Sequence, residues 1–219
     1  LLALIGPSGA GKSSFLRAGL IPAKPEGWSH VICQPGDKPF LALERALGAE
    51  LSEDPDVTVS VFRRWRKRHM EALLIVDQFE ELFTMARVAT AERFLRLLLE
   101  AADDDQVSVV VTLRADFLGR PLQYSAFGEL LRTAVATVRS PTSDELKEAI
   151  TRPAGSVGVV VEPALTERIV ASVHDQPGAL PLLQHTLAEL FRARSGDVIT
   201  IADYEAVGGI HGSLARRAE

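Results

Sequence analysis

Short apolar runs alternate with amphipathic segments along the first two thirds of the chain. Residues 1–5 and 73–76 contain no polar side chain, which is typical of central parallel strands that are covered on both faces. Residues 107–113 are rich in β-branched side chains, and shorter strands are expected at residues 30–33 and 134–138. The alternation predicts an α/β fold with a parallel sheet flanked by helices.

Apolar residues at helical spacing separate these strands. The predicted helices cover residues 12–20, with a stop at Pro22, and residues 40–51, 57–69 and 92–102. From Ser140 onward the pattern changes to helices without a strong strand. Residues 141–146 resemble a helix start with an N-cap, and the clearest helices follow at residues 163–174 and 180–194. We therefore place a domain boundary near Ser140.

The composition is that of an ordinary globular protein and excludes a disordered or fibrous chain. Of the 219 residues, 47% are hydrophobic and 24% are charged, so a large core can form without disulfides or structural metals. The net charge of −5 disfavours bulk attraction to nucleic acid or to anionic membranes. No apolar run approaches the roughly 18–20 residues of a membrane helix, so no direct membrane contact is expected.

Cysteine usage and the chain ends bear on the cellular context. Cys33 is the single cysteine and cannot form an internal disulfide bond. Together with the lack of a signal-peptide pattern, this favours a reducing, cytoplasmic location. The sequence begins at Leu1 inside a predicted strand and ends inside a predicted helix, so we expect a segment of a larger protein.

The strongest chemical signal is a glycine-rich stretch between the first predicted strand and the first predicted helix. It matches the P-loop (Walker A) pattern G-x-x-x-x-G-K-[ST] and comprises Gly6, Pro7, Ser8, Gly9, Ala10, Gly11, Lys12 and Ser13, with Ser14 following. Its glycines let backbone N–H groups converge on a phosphate at a helix N-terminus. Lys12 is expected to reach the β- and γ-phosphates of ATP, and Ser13 to ligate Mg²⁺. The alternative is a glycine-rich turn that binds nothing.

A carboxylate for the same metal ion follows the predicted strand at residues 73–76. Asp77 stands at the carboxyl end of this strand, where open α/β sheets bind ligands. We expect this strand to be a neighbour of the first one, so that Asp77 completes the Mg²⁺ site together with Ser13, as the Walker B aspartate does in P-loop enzymes. A residue that merely ends the strand is the alternative.

Two carboxylates are candidates for the hydrolytic base. Many P-loop ATPases place a glutamate directly after the metal-binding aspartate, but here Gln78 holds that position. Glutamine orients a water molecule without accepting its proton, so slow turnover is expected. Glu80 and Glu81 come next, and Glu80 returns to the side of Asp77 if a helical turn begins there. A solvated acidic helix start is the alternative.

Arg114 stands at the end of the predicted strand at residues 107–113. If this strand is a parallel neighbour of the first one, its guanidinium lies beside the terminal phosphate and can read the charged oxygens in a bidentate manner. A surface arginine that pairs with Asp116 is the alternative.

Together these motifs resemble the STAND class of P-loop NTPases, and specifically the novel STAND NTPase family found beside WD40 repeats and signalling domains in bacteria. The resemblance extends in order over nearly the whole chain. The matching stretches are residues 6–14, 17–22, 76–83, 112–118, 177–183 and 202–209.

The resemblance implies three domains: a P-loop nucleotide-binding core at residues 1–140, a helical lid at residues 141–197 and the start of a winged-helix domain at residues 198–219. It implies a slow Mg²⁺-dependent ATPase that acts as a signalling switch, changing conformation and self-assembly with ADP and ATP. Effector and repeat domains fused outside this segment are the implied partners. Pro181 would pack against the adenine base, whereas the residues alone indicate only a proline at the first position of a helix.

Three other functions share parts of this pattern. A small-molecule kinase has a similar phosphate loop but leaves the Asp77 and Arg114 motifs unexplained, and a transporter-type ATPase requires an LSGGQ-like signature that the sequence lacks. A scaffold that binds nucleotide without hydrolysing it stays open, because Gln78 follows Asp77.

A basic stretch and scattered histidines add weaker signals. Residues 63–69 hold five cations and a tryptophan, a composition that also occurs in nucleic-acid-binding patches. Phe62, Trp65 and His69 fit one apolar side of a helix, however, so we interpret the cations as its solvated face. The histidines show no metal-ligand spacing to one another or to Cys33, which we place in the core.

Overall fold

The apolar run at the start of the sequence lies inside a five-stranded parallel sheet, as its pattern predicts. The computed structural model describes residues 1–52, 54–174 and 178–210. The strands of the sheet are β1 (Leu2–Gly6), β2 (Ser29–Cys33), β3 (Ala72–Val76), β4 (Val107–Arg114) and β5 (Val135–Thr137). Their spatial order is β2-β3-β4-β1-β5. All five predicted strands are therefore confirmed.

Both faces of the sheet are covered, which explains why its strands carry so few polar residues. All five residues of β3 are buried. Successive side chains point to opposite faces, and accordingly Ile5 of β1 belongs to the larger apolar cluster while Leu4 belongs to a smaller one. The larger cluster includes Phe94, which contacts Phe40 edge to face at 5.4 Å between ring centroids, and the buried Cys33.

The chain folds as two units, Leu1–Gly6 with Gly11–Val138, and Pro7–Ala10 with Arg139–Glu219. The helices of the first unit are α1 (Lys12–Ser14), a π-helical segment (Phe15–Leu20), α2 (Ile21–Ala23), α3 (Pro39–Ala46), α4 (Pro55–Arg66), α5 (Glu81–Thr84), α6 (Val88–Ala102) and α7 (Ser125–Leu131). Short 3-10 turns lie at Ala115–Phe117 and Pro121–Gln123.

Three predicted helix ends in this unit are wrong, and one of them is the end of α4, which lies at Arg66 and not at residue 69. Pro22 does not stop the first helix, because it falls among the first residues of α2, where proline is tolerated. The helix expected to reach residue 51 ends at Ala46, since Gly48 takes a left-handed conformation with a φ of 65°. Local sequence rules predict the existence of a helix better than its last residue, because the final turn of a helix is held by few hydrogen bonds.

Helices dominate the second unit, as predicted. They are α8 (Ser143–Ser156), α9 (Pro163–Val173), α10 (Ala179–Ala193) and α11 (Ile201–Ala206). The pattern predicts no strong strand here, and the strands that form, β6 (Val160–Val161) and β7 (Val198–Ile199), are two residues long each and pair in parallel. Residues 211–219 of the predicted winged-helix start, and Pro177 of the stretch at residues 177–183, lie outside the described residues.

Helix α8 begins with the predicted N-cap. The Thr142 hydroxyl accepts a hydrogen bond from the Glu145 N–H, and the Glu145 carboxylate accepts one from the Thr142 N–H. This reciprocal pair satisfies two backbone donors that the helix itself leaves free. Arg139 also binds the Glu145 carboxylate, and these contacts lower the pKa of Glu145 to about 2.

Among the described residues, no helix combines the length and apolar character needed to cross a lipid bilayer.

The close approach of backbone at Gly6 provides a test of this packing. A Cβ added to Gly6 would lie 2.4 Å from the carbonyl oxygen of Val138, just beyond β5. We expect Gly6→Ala to lower the free energy of unfolding by about 1–3 kcal/mol, because two backbone segments must separate. Gly119→Ala is the control, since a Cβ there meets open space. Equal urea-unfolding midpoints for the two variants would contradict this account.

Candidate phosphate and magnesium site

The loop between β1 and α1 carries the predicted phosphate-binding residues. Its glycines Gly9 and Gly11 have φ angles of 71° and 89°, a region that other residues rarely adopt. The Ala10 N–H bonds to the Pro7 carbonyl at 3.3 Å and closes the turn that contains Ser8. The glycine pattern is therefore a conformational requirement of this loop.

Lys12 is held at the end of β1. Its Nζ donates a hydrogen bond to the Gly6 carbonyl oxygen at 2.9 Å, and the side chain is buried. Burial lowers the pKa of the Lys12 ammonium, while the nearby negative charge of Glu80 acts in the opposite direction. The cation thus lies at the phosphate loop, beside the carboxylates that follow β3.

Asp77 is the most completely buried charged group of the site. One of its oxygens, Oδ1, accepts hydrogen bonds from the Ser13 hydroxyl at 2.9 Å, the Thr112 hydroxyl at 2.7 Å and the Gln78 N–H at 3.1 Å. The structure therefore brings Ser13 and Asp77 together, across 64 positions of sequence. The sequence predicted that Asp77 follows a strand next to β1. This prediction is wrong, because β4 lies between β1 and β3.

Thr112 on β4 bridges this gap, and sequence reasoning missed it. Its hydroxyl donates to Asp77 and also accepts a hydrogen bond from the Gln78 N–H at 2.8 Å. Thr112 is itself buried, although it interrupts a strand of mostly apolar residues. A polar residue at a buried position near the carboxyl end of a central strand was the available signal.

Gln78 has a strained backbone. Its φ is 55°, and among the described residues it is the only one other than glycine in the left-handed region. Such conformations cost on the order of 1–3 kcal/mol and cluster at functional sites. The two hydrogen bonds from its N–H hold this turn against Asp77 and Thr112.

The other oxygen of Asp77 fits a metal ion. Oδ2 is buried and has no hydrogen-bond partner among the described residues. Mg²⁺ prefers oxygen ligands and binds through one or two carboxylates together with phosphate oxygens and waters. The described part of the chain holds no group of three or more His, Cys, Asp or Glu side chains suited to a metal. Ser13 and Asp77 thus suit Mg²⁺ bound with a nucleotide.

Arg17 was not among the predicted site residues. Its Nη2 lies 3.8 Å from Asp77 Oδ2, which is ion-pair distance without a hydrogen bond. The π-helical winding of Phe15–Leu20 is the structural feature that carries Arg17, and the apolar pattern of this helix does not indicate it.

The two candidate bases point in different directions. The Glu80 carboxylate accepts a hydrogen bond from the Arg114 N–H at 3.3 Å, and its charge acts on Lys12. The Glu81 carboxylate instead accepts from the N–H of Gly36, at 3.2 Å, in the loop after β2. Of the two, Glu80 therefore faces the phosphate loop.

Arg114 lies at the end of a strand next to β1, as predicted, but its guanidinium is bound to Asp116. Strand β4 is a parallel neighbour of β1, with Arg114 opposite Gly6 in register. The guanidinium makes two hydrogen bonds to the Asp116 carboxylate, at 3.1 and 2.7 Å, and lies over the Phe117 ring. This pair raises the pKa of Arg114 and lowers that of Asp116.

The remaining predicted residues are at the surface. Ser14 is exposed in α1. Pro181 is exposed in α10 of the second unit, as the third residue and not the first. Pro181 has no backbone N–H, which is tolerated in the first turn of a helix because an N–H there finds no partner within the helix.

The basic stretch of α4 is partly neutralised by acidic partners. Phe62 stacks on Trp65, and Trp65 contacts His69, as the predicted apolar side requires. Arg63 pairs with Glu100 and Arg66 pairs with Asp104. Arg63 is 62% exposed, as the predicted solvated face requires, but Arg66 is only 12% exposed, so the prediction is wrong for Arg66.

Known proteins share the fold and the family pattern of this chain. The chain is similar in fold to the Orc1 protein of Aeropyrum pernix, solved in complex with DNA, with a TM-score of 0.64 at 16% sequence identity. The alignment covers 99% of this chain but 59% of that one, and at this identity it concerns the α/β fold alone. No curated protein sequence matches the chain significantly. The profile of the family Novel STAND NTPase 1 matches residues 1–219. The chain therefore belongs to the Novel STAND NTPase 1 family.

Proposed function

We propose that this chain is an ATP-binding and ATP-hydrolysing switch module, whose conformation and assembly state change between ADP and ATP. The observation that carries the proposal is the cluster of Lys12, Ser13 and Asp77 at the carboxyl ends of β1 and β3. A buried carboxylate oxygen without a hydrogen bond, next to a serine hydroxyl and a lysine, is suited to Mg²⁺ and a polyphosphate.

Each part of the site has a distinct role in binding. The backbone of residues 6–14 surrounds the phosphates, and Lys12 contributes positive charge to the β- and γ-phosphates. Ser13 and Asp77 hold Mg²⁺, which neutralises charge that builds up on the phosphate oxygens. When nucleotide binds, Lys12 gives up its hydrogen bond to the Gly6 carbonyl and donates to a phosphate oxygen instead. The new bond is favoured because the phosphate carries a full negative charge.

Hydrolysis in this proposal depends on Glu80. It accepts a hydrogen bond from the Arg114 N–H and lies near Lys12, so it faces the γ-phosphate position. Gln78 cannot accept a proton, which accounts for a slow ATPase. A nucleotide-binding scaffold without hydrolysis is the second candidate, and the observation that favours it is Gln78 in the position directly after Asp77.

The domain roles complete the proposal. Residues 1–140 act as the nucleotide-binding core, residues 141–197 as a helical lid with Pro181 against the adenine base, and residues 198–219 as the start of a winged-helix domain. Assembly in the ATP state, fused effector and repeat domains and a cytoplasmic location follow from the same interpretation.

Lys12→Ala tests nucleotide binding directly. The change removes a charge-assisted contact worth about 1.5–3 kcal/mol, so affinity for a non-hydrolysable ATP analogue should fall roughly ten- to a hundredfold. Titration calorimetry with Mg²⁺ present measures the loss. Lys67→Ala, which removes an exposed lysine at the end of α4, is the matched control. Unchanged affinity in folded Lys12→Ala protein would falsify the site.

Glu80→Gln and Glu81→Gln separate hydrolysis from binding. Removal of a general base typically slows the reaction by about 10²–10⁴, so Glu80→Gln should bind ATP normally and lose phosphate release. Glu81→Gln should keep its turnover, because that carboxylate is bound to Gly36. If both variants hydrolyse ATP at the rate of the unaltered chain, Glu80 is not the base and the scaffold candidate gains support.

Arg114→Ala tests whether Arg114 distinguishes ATP from ADP. A switch needs a residue that interacts differently with the two nucleotides, and the γ-phosphate is the group that differs. Affinity for the ATP analogue should fall by roughly ten- to a hundredfold, and affinity for ADP by far less. Asp116→Asn is the companion variant, because it weakens the competing partner and should strengthen ATP binding. Equal losses for both nucleotides would make Arg114 a structural residue.

A further inference from the structure

Arg17 approaches the one oxygen of Asp77 that receives no hydrogen bond from the described residues. Its Nη2 atom is 3.8 Å from Asp77 Oδ2, beyond hydrogen-bond distance. The Asp77 side chain is 0% exposed, whereas the Arg17 side chain is 54% exposed. The pair therefore joins a fixed, buried anion to a cation that is largely in solvent.

The winding of the helix after the phosphate loop brings Arg17 to this position. Residues Phe15–Leu20 are π-helical, and the Ile21 N–H bonds to the Leu16 carbonyl, five residues back. Such turns occur frequently at functional sites. Arg17 follows Ser13 by four residues, a spacing that returns to the same side of the helix, and both side chains contact Asp77, while Lys12 binds the Gly6 carbonyl at the end of β1. All three side chains thus reach the ends of β1 and β3.

Charge balance gives Arg17 a role. A buried carboxylate is costly unless positive charge lies nearby, and Arg17 is the cation at ion-pair distance from Asp77 Oδ2, while Lys12 binds the Gly6 carbonyl and acts on Asp77 through its charge. Mg²⁺ brings two positive charges to the same carboxylate when it binds with nucleotide. An ion pair at 3.8 Å with an exposed arginine adds little to stability and is easily broken, so Mg²⁺ can displace Arg17 from Asp77.

We infer that Arg17 is a displaceable counter-ion that competes with Mg²⁺ for Asp77 Oδ2 and thereby sets the Mg²⁺ concentration at which the site loads. Arg17 is a positioning residue, since it acts on the metal site through Asp77. The inference rests on the proposed nucleotide site, which it deepens by adding a threshold for the metal.

Removal of Arg17 should make the site easier to load with metal. At a fixed concentration of a fluorescent ADP analogue and constant ionic strength, the half-saturating Mg²⁺ concentration should fall roughly two- to fivefold in Arg17→Ala, as expected for a partly exposed ion pair. Arg17→Lys keeps the charge and should stay close to the unaltered chain. Arg64→Ala removes the same charge from an exposed position on α4 and should change nothing.

The double variant identifies the partner of Arg17. In an Asp77→Asn background the carboxylate is gone, so adding Arg17→Ala should leave the Mg²⁺ requirement unchanged. An equal or higher Mg²⁺ requirement in Arg17→Ala overturns the inference. So does an equal loss of nucleotide affinity with Mg²⁺ and with a chelator, because Arg17 would then be a phosphate ligand or a folding residue.

A nucleotide-free measurement separates this inference from the proposed function. Mg²⁺ alone should raise the melting temperature of Arg17→Ala more than that of the unaltered chain, because the competing cation is absent. Identical shifts in both proteins contradict the competition, whatever the nucleotide results. If the unaltered chain binds no nucleotide, the proposed function fails, and the melting measurement alone decides the role of Arg17.

Discussion

A buried carboxylate at the end of β3 is the constraint on which the site depends. Asp77 is fully buried, and an unpaired charge in such a place would cost several kcal/mol. The chain meets this cost on one side of the carboxylate, where Ser13, Thr112 and Gln78 all donate to Oδ1. The other oxygen, Oδ2, receives no hydrogen bond from the described residues and lies at ion-pair distance from Arg17.

This arrangement fixes the register of three strands. Thr112 reaches Asp77 only because β4 lies between β1 and β3 and runs parallel to both. The same register sets Arg114 opposite Gly6, at the start of the phosphate loop. A shift of β4 by one residue would turn Thr112 to the other face and remove the hydrogen bonds that its hydroxyl makes with Asp77 and with the Gln78 N–H. The site therefore depends on the register of β4, which places both Thr112 and Arg114.

The polar groups at this end of the sheet divide into fixed and exchangeable ones. The Thr112 hydroxyl is buried and bonds to Asp77, and Glu81 accepts a hydrogen bond from the N–H of Gly36, so both are fixed. The side chains of Arg17 and Arg114 are partly exposed, and each pairs with a carboxylate through an ion pair that weakens in salt. Such pairs are suited to exchange for phosphate or metal, which is the property that a nucleotide-dependent switch requires.

The sequence by itself determined the strands, the phosphate loop and the position of Asp77 at a strand end. Those features follow from local rules: apolar runs, glycines at positive φ and a helix start. Strand order decided the rest. Only the folded sheet shows that β4 separates β1 from β3, that Thr112 completes the site, and that Glu80 and Glu81 face different partners. The contact of Arg17 with Asp77 could not be predicted for a further reason, because the apolar pattern does not distinguish a π-helical turn from an α-helical one. These contacts join residues far apart in the chain, and no local propensity specifies which distant groups a fold brings within hydrogen-bond distance.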